Sequence, residues 1–323
     1  MELPAQLKQA VERLLDGLPL NTLKQASRTL SDRYRAEVRD GRLHMGDDIA
    51  AKAYLATRLP ATYAAVRASL EATSEALPNL APRTLLDIGA GPGTVLWAAS
   101  DLWPSIEAAT LFEASAAARK VGQMLAGENI AAEIRWLQGD VTVDLPDMAA
   151  VDLVTMAYVM DEVAPAALPK LIDRLWRLTA DTLLIVEPGT PAGWRRILDA
   201  RTQLIASGAH IAAPCPHAEP CPLVAPDWCH FSRRVARSRL HRLAKEAEVP
   251  WEDEKFIYLA ASRTPSALRH SRVLAPPKAG SGKVSLKLCQ PDGLASERFL
   301  TKRDGKIFKA ARRADWGDSL VQG

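Results

Sequence analysis

The chain has 323 residues, 48% of them hydrophobic and 24% charged. That length suits one large domain with an appendage, or two domains, and the composition excludes wholesale disorder, a coiled-coil rod and a collagen-like chain. Formal net charge is only +3 and there are four cysteines; alone, the first argues against a polyanionic partner, and in a reducing compartment the second argues against disulfides.

Residues 1–80 read as helices. Apolar residues recur at helical spacing through Leu3, Leu7, Val11, Leu14 and Leu15, and Pro19 ends that segment. This first stretch carries acids among its bases and lacks an apolar core, so it reads as an amphipathic helix, not a signal or transit peptide, and a cytoplasmic location is expected. A second helix is predicted over 20–38 with a break near Gly41, a third over 47–59 and a fourth to 77, with Pro60 interrupting between the last two. No run of about 18 apolar residues occurs, so no membrane-spanning helix is expected. Pro78 and Pro82 bracket a linker.

From Arg83 the period changes. Apolar runs at 84–88, 109–113, 133–138, 151–158 and 182–187 alternate with helix-compatible stretches at 93–102, 115–127 and 165–179. Such alternation predicts βαβ units and a parallel sheet with helices on both faces. Further helices are predicted near 191–206 and 232–247, and a strand near 254–262. Beyond Arg263 a loop at 275–283 leads into short strands at 283–289 and around 297–310, with turn signals at Pro291-Asp292-Gly293 and Asp304-Gly305. The expected organisation is a helical extension (1–80), an α/β domain (81–263) containing a Cys-rich loop (210–231), and a small β appendage (264–323).

The first predicted strand runs through Asp87 into Gly89-Ala90-Gly91-Pro92-Gly93 and then a helix. A strand, a glycine loop and a helix N-terminus together present backbone N–H groups that a ligand can approach closely. The spacing is GxGxG, not the GxGxxG dinucleotide fingerprint, and the Lys-Ser/Thr of a phosphate-binding loop is missing. The loop resembles motif I of class I S-adenosylmethionine-dependent methyltransferases. That resemblance implies a Rossmann-like sheet and a bound S-adenosylmethionine. It places Asp87 toward the methionine end, Gly89, Gly91 and Gly93 against the ligand, Glu113 on the ribose hydroxyls and Asp140 near the adenine. The stretch after the fourth strand, Ala157-Tyr158-Val159-Met160-Asp161-Glu162, has neither the signature of base-amino methylation nor the Pro-Cys nucleophile of cytosine-C5 chemistry. Asp161 and Glu162 are potential bases or solvated caps, and the catalytic residues stay unassigned.

Cys215, Cys221 and Cys229 lie in APCPHAEPCPLVAPDWCHF, and Cys289 follows at a distance. So Pro-rich a loop cannot form regular structure, and a metal centre would supply both geometry and free energy. The spacing fits neither a zinc ribbon nor the ferredoxin patterns. Four thiolates suit an iron–sulfur cluster or tetrahedral Zn, and His217 and His230 are near enough to serve as neighbours or substitutes.

Together with these Cys-Pro pairs, the segments Leu30-Ser31-Asp32-Arg33-Tyr34-Arg35 and AYLATRLPATY (53–63), the glycine loop and the closing Ala311-Arg312-Arg313-Ala314-Asp315-Trp316-Gly317-Asp318 resemble the Rsm-type family. These are methyltransferase-like proteins associated with the mitochondrial small ribosomal subunit, with bacterial relatives. The resemblance implies a four-iron [4Fe-4S] cluster on Cys215, Cys221, Cys229 and Cys289, and a role in small-subunit assembly by binding rRNA, with rRNA methylation an open alternative to a non-catalytic factor or a small-molecule methyltransferase.

Charge is unevenly spread. Residues 263–313 hold thirteen Lys/Arg and three Asp/Glu, a local balance of +10 that leaves −7 for the remainder, and 232–245 add six cations with no acid. One-sided charge of this kind is an electrostatic footprint for nucleic acid, with Phe299, Phe308 and Trp316 as stacking candidates or core residues. The expected partner is therefore the small ribosomal subunit or its rRNA, bound by a monomer without membrane involvement.

Overall fold

The computed structural model describes all residues except 37–39, 41, 128, 144, 146, 267–269 and 321–323. The predicted end of the second helix at Val38, the break at Gly41 and one cation of the basic segment, Arg269, lie outside the described residues.

Four helices come first: α1 (Ala5–Leu15), α2 (Leu20–Arg35), α3 (Asp48–Thr57) and α4 (Leu59–Ala76). The Asp47 side chain accepts the Ala50 N–H at 2.8 Å and so caps α3. Pro60 sits in the first turn of α4, where its missing N–H costs nothing. The helices are not a separate layer: Leu7, Leu23, Leu55 and Leu70 share one continuous apolar core with the sheet residues Leu86, Val154 and Leu259.

The α/β portion alternates β1 (Thr84–Ile88), α5 (Thr94–Leu102), β2 (Ala108–Glu113), α6 (Ala116–Ala126), β3 (Glu133–Gln138), β4 (Val151–Ala157), α7 (Leu168–Arg177), β5 (Thr179–Pro188) and α8 (Pro191–Ala206). It closes with β6 (His210–Ala213), β7 (Phe231–Ala236), α9 (Arg239–Lys245) and β8 (Trp251–Ser262). The sheet order is β3-β2-β1-β4-β5-β8-β6, with β7 also on β8. β1 to β5 pair in parallel and β8 runs antiparallel to β5. This is the class I S-adenosylmethionine-dependent methyltransferase-like, Rossmann-like order, with the chain reversing direction across the sheet between β1 and β4.

Two expected elements change form. The segment 232–247 is not one helix: 231–236 is a strand on β8, and only Arg239–Lys245 is helical. Phe231 and Val235 are buried while Arg234 and Ala236 are exposed, a two-residue period that the run of arginines masks. The strand expected over 297–310 stops at Thr301, where Thr301 and Asp304 form a reciprocal capping box. A helix, α10 (Gly305–Ala311), follows, burying Phe308 and Ala311 three residues apart.

The remaining strands, β9 (Ser271–Val273), β10 (Lys278–Gly280), β11 (Lys283–Cys289), β12 (Ala295–Thr301) and β13 (Ser319–Leu320), form a second sheet ordered β10-β11-β9-β13, with β12 on β11. Val284, Leu286, Leu288 and Leu300 pack with Phe308 of α10 in its own small core. Among the described residues no helix is long and apolar enough to cross a membrane.

Candidate functional site

The chain reversal between β1 and β4 leaves a crevice beyond the carboxyl ends of these strands, the usual ligand position in open α/β sheets. The loop from β1 to α5 lies there. Gly89 has φ of +66°, and a Cβ on it would stand 2.4 Å from Cγ2 of Val159. Gly93 caps α5 at φ of +81°. Both positions therefore need glycine, and together they turn the backbone over the helix N-terminus.

The Gly91 N–H donates to Oε2 of Glu113 at 2.8 Å, and the Ser115 N–H donates to Oε1 at 2.7 Å. A carboxylate offers about four lone-pair directions, so Glu113 is held by main-chain N–H groups of Gly91, Ala114 and Ser115 without its acceptor capacity being exhausted. Asp87 is buried; its Oδ1 accepts the Thr155 hydroxyl at 2.7 Å, while Oδ2 has no protein partner. Asp140 folds back on Thr142, accepting its N–H at 2.8 Å and its hydroxyl at 2.7 Å. Gly89, Gly91, Glu113 and Asp140 line one cavity, whereas Asp87 and Gly93 are not among its lining residues.

The cavity measures about 100 Å³, whereas small-molecule sites generally hold about 300 Å³ or more. Part of the space is taken by the N-terminal arm. Leu43, His44 and Met45 line the cavity, and the Met45 Cε lies 3.3 Å from where a Cβ on Gly91 would be. The Ser115 hydroxyl donates to the Met45 carbonyl. Tyr54 reaches Thr94 of α5, hydroxyl to hydroxyl, at 3.3 Å. No local sequence signal marks these N-terminal residues as part of the site, because only tertiary packing brings Tyr34, Leu43, His44, Met45, Tyr54, Arg58 and Thr62 to the same cavity as the glycine loop.

Acids crowd this region. Burial pushes Asp87 up to about 7, with Glu113 adding to the effect. Burial and then Asp161 raise Glu187 to about 7 despite its ion pair with Arg196 at 2.8 Å. Glu162 rises to about 8 through burial and then the nearby charges of Asp161, Glu113 and Asp140. Its Oε1 lies 3.5 Å from Nε2 of His44, whose Nδ1 faces the Arg33 Nε–H at 3.3 Å. An acid-rich cavity of this kind favours a cationic ligand.

A second cavity of about 780 Å³ lies beside the first and shares Tyr34, Arg58 and Tyr158 with it. Tyr158 directly follows β4 at φ of +59°, and its hydroxyl donates to Oε1 of Glu254 at 2.9 Å. Arg58 reaches the same oxygen at 3.5 Å. A bulky residue in left-handed backbone is strained, and such strain clusters at functional sites.

Cys215, Cys221, Cys229 and Cys289, distant in sequence, line one small cavity with His217, and all four are free thiols. The His217 Nε2 is 3.2 Å from Sγ of Cys289. Burial pushes the Cys289 thiol up to about 12, and the neighbouring cysteines add to the effect. Two buried arginines flank the group and pull in the opposite direction. Arg201 donates to the carbonyls of His217 and Glu219, both at 2.8 Å, and Arg272 donates to those of Pro214 at 3.0 Å and Gly317 at 2.8 Å. Both guanidiniums thus sit beside thiols with main-chain carbonyls as partners, a costly arrangement for buried cations unless anionic charge is added. Among the described residues no group of three or more His, Cys, Asp or Glu side chains is placed to hold a single metal ion.

The stacking candidates separate. Phe308 is core, Trp316 packs edge-on to His230 with ring centroids 4.8 Å apart, and Phe299 is 62% exposed.

Comparison with known proteins supplies the lineage. Residues 48–321 match the profile of the family described as mitochondrial small ribosomal subunit Rsm22. The human "Ribosome assembly protein METTL17, mitochondrial" is 30% identical over 289 residues, which is 83% of this chain and 61% of that protein. A Schizosaccharomyces pombe "Rsm22-cox11 tandem protein 2, mitochondrial" is 24% identical over 284 residues, 72% of this chain and 38% of that protein. The chain therefore spans less than two thirds of either relative's length. Among solved structures, a magnesium protoporphyrin IX methyltransferase of Synechocystis has a TM-score of 0.41 at 16% identity, covering 72% of this chain and 94% of that one. A ribosomal protein L11 methylase of Lactobacillus delbrueckii has a TM-score of 0.38 at 15% identity, covering 61% and 77%. The cytoplasmic location expected from the N-terminal segment is corrected by these matches, since the family and both curated relatives are described as mitochondrial. On the match over residues 48–321, the chain belongs to the Rsm22 family of mitochondrial small-ribosomal-subunit proteins.

Proposed function

We propose that the chain is a small-subunit assembly factor that binds rRNA as a monomer through its basic C-terminal sheet while its α/β portion holds S-adenosylmethionine. The carrying observation is the separation of charge: a +10 segment on a body of −7, with much of that segment forming a separate sheet. Phosphate contacts of this kind dominate affinity for nucleic acid and weaken steeply with salt. The assembly role named for the human relative is extended to this chain on the same basis. The division into 1–80, 81–263 and 264–323 belongs to this reading.

For S-adenosylmethionine, the fit rests on the partnerless Oδ2 of Asp87, the spare acceptor capacity of Glu113 and the acid-rich lining. Asp87 would face the ammonium end, Gly89, Gly91 and Gly93 the ligand backbone, Glu113 the ribose and Asp140 the base. Leu43, His44 and Met45 would shift to widen the cavity.

For the thiols, we assign Cys215, Cys221, Cys229 and Cys289 to a [4Fe-4S] cluster, with zinc as the alternative. In a cluster each cysteine binds a separate iron, so the four sulfurs need not meet at one point. The two flanking arginines supply positive charge to balance the anionic centre. Protein purified without oxygen should be brown and contain iron and sulfide; colourless protein holding only zinc would refute the cluster.

A second reading, methyl transfer to rRNA, is favoured by the cavity of about 780 Å³ behind Tyr158 and Arg58 at the ends of β4 and β5, which has room for a nucleobase. Incubation of small-subunit assembly intermediates with S-adenosylmethionine labelled in its methyl group decides it: label in rRNA supports transfer, and its absence leaves the non-catalytic reading. For binding itself, failure of the chain to co-sediment with small subunits at low salt would remove both readings.

A further inference from the structure

We propose that the outer face of the second sheet is a stacking platform for single-stranded RNA, with Phe299 as its base-stacking ring. The inference rests on the rRNA-binding reading and assigns a specific surface and nucleic-acid form to it.

Strand pairing defines the face. In β11, Val284, Leu286 and Leu288 turn inward to the small core beneath α10, so Lys283, Ser285 and Lys287 turn outward. Antiparallel register places Phe299 of β12 opposite Ser285, and Ser285 opposite Lys278 of β10. The next row holds Gly280, Lys283 and Thr301. Residues opposite one another share a face, so one ring stands among small residues and lysines. Its direct cross-strand neighbour is a serine, one adjacent row contains a glycine, and the other pairs Lys287 with Glu297.

Exposure and charge identify the occupant. Phe299 is 62% exposed although its neighbour Leu300 is 2% exposed. The Lys283 Nζ lies 6.0 Å from its ring centroid, a contact that orients the side chain without covering it. Lys278, in the ring's own row, and Lys283, in the next, are exposed, and Glu297 stands opposite Lys287 on the same face. Lys287 in turn pairs with Asp227. Lysines bordering an exposed aromatic on a sheet suit a ligand that has both flat apolar faces and phosphates. Duplex RNA keeps its bases stacked on one another, so a single strand is the matching form.

The test uses the full chain and a fluorescently labelled 12-nucleotide oligouridine, with a 12-base-pair RNA duplex as control. Phe299→Ala should weaken oligouridine binding about tenfold, as expected when a single base–aromatic stack is lost. Its salt dependence should stay as in the wild type, because no phosphate contact is removed. Duplex binding should not change, and Phe299→Trp should retain affinity. By contrast, Lys278→Glu with Lys283→Glu should flatten the salt dependence for both RNAs. Thermal melts check folding, which the exposed site should leave intact. If Phe299→Ala binds oligouridine as the wild type does while the lysine variant weakens, the stacking proposal is overturned and the RNA reading stands. If the wild-type chain binds neither RNA, both fall. Self-association abolished by Phe299→Ala, with RNA affinity unchanged, would assign the face to a second copy and overturn the proposal.

Discussion

At Glu162, which lines the cavity proposed for S-adenosylmethionine, protonation is predicted to bear on both stability and ligand choice. Asp87 and Glu187, raised to about 7, and Glu162, raised to about 8, bind protons more tightly in the folded chain than in the unfolded one. Their contribution to stability is therefore complete below the ordinary carboxylate range and is lost as pH rises through about 7 to 8. The melting temperature of the ligand-free protein should fall from pH 5 to pH 8.5, and Glu162→Gln should lessen the fall; identical profiles would contradict the assignment. Over the same window the acids become charged, so affinity for the sulfonium of S-adenosylmethionine should rise relative to the neutral thioether S-adenosylhomocysteine. Removing one charge with Glu162→Gln should reduce that preference about fivefold, near 1 kcal/mol for one charge pair at solvent-like screening. Gly89→Ala meets both a left-handed backbone and Val159, which predicts a loss of about 1–3 kcal/mol in urea unfolding. A loss below about 0.5 kcal/mol would show that the loop relaxes.

Among the elements, the junction between the sheets decides what a metal centre contributes. The second sheet is tied to the Cys-rich loop by Arg272 to the Pro214 carbonyl, Lys287 to Asp227, and Trp316 against His230. Leu274 and Cys289 also pack with Trp194 and Leu223. Without metal these contacts hold the sheet, so Cys289→Ser should alter proteolysis of metal-free protein little. In metal-loaded protein it should raise cleavage within residues 275–283, the expected loop that in fact contains β10, several-fold, and chelation of the wild type should do the same. Equal cleavage of loaded and stripped wild type would show that a metal centre does not fasten the second sheet to the Cys-rich loop. How far these elements could be read from sequence follows from their physics. The glycine loop and β1, β2, β4 and β5 announce themselves by local signals, closely spaced glycines and apolar runs that are buried in the sheet. The strand β7 did not, because four of its six residues (Ser232, Arg233, Arg234 and Ala236) are polar or small and its inward pair, Phe231 and Val235, is short. The boundary at Thr301 was readable in principle from Thr301 and Asp304, but the turn signal at Asp304-Gly305 competed with it.

Over the whole molecule, the weak net charge conceals an acidic body and a basic sheet. Glu113, Asp140 and Glu162 line the cavity at the glycine loop, and Lys278 and Lys283 border Phe299 on the second sheet; the proposed cation and polyanion ligands match these two settings. The glycine loop, Glu113 and Asp140 could be read from sequence as lying together because each is at or just past the carboxyl end of a strand in the same sheet. Tyr34, His44, Met45 and Arg58 were not, since their place in the site depends on N-terminal helices folding across the sheet. The convergence of four cysteines was legible only in part, because 59 residues, numbered 230–288, separate Cys289 from Cys229. The most direct test of the central claim is photo-crosslinking of the chain to small-subunit assembly intermediates, with identification of the crosslinked peptides and nucleotides. Crosslinks to rRNA concentrated in 278–313, and reduced by Phe299→Ala, are the predicted result. Crosslinks lying only outside that segment, or none to rRNA, would contradict it.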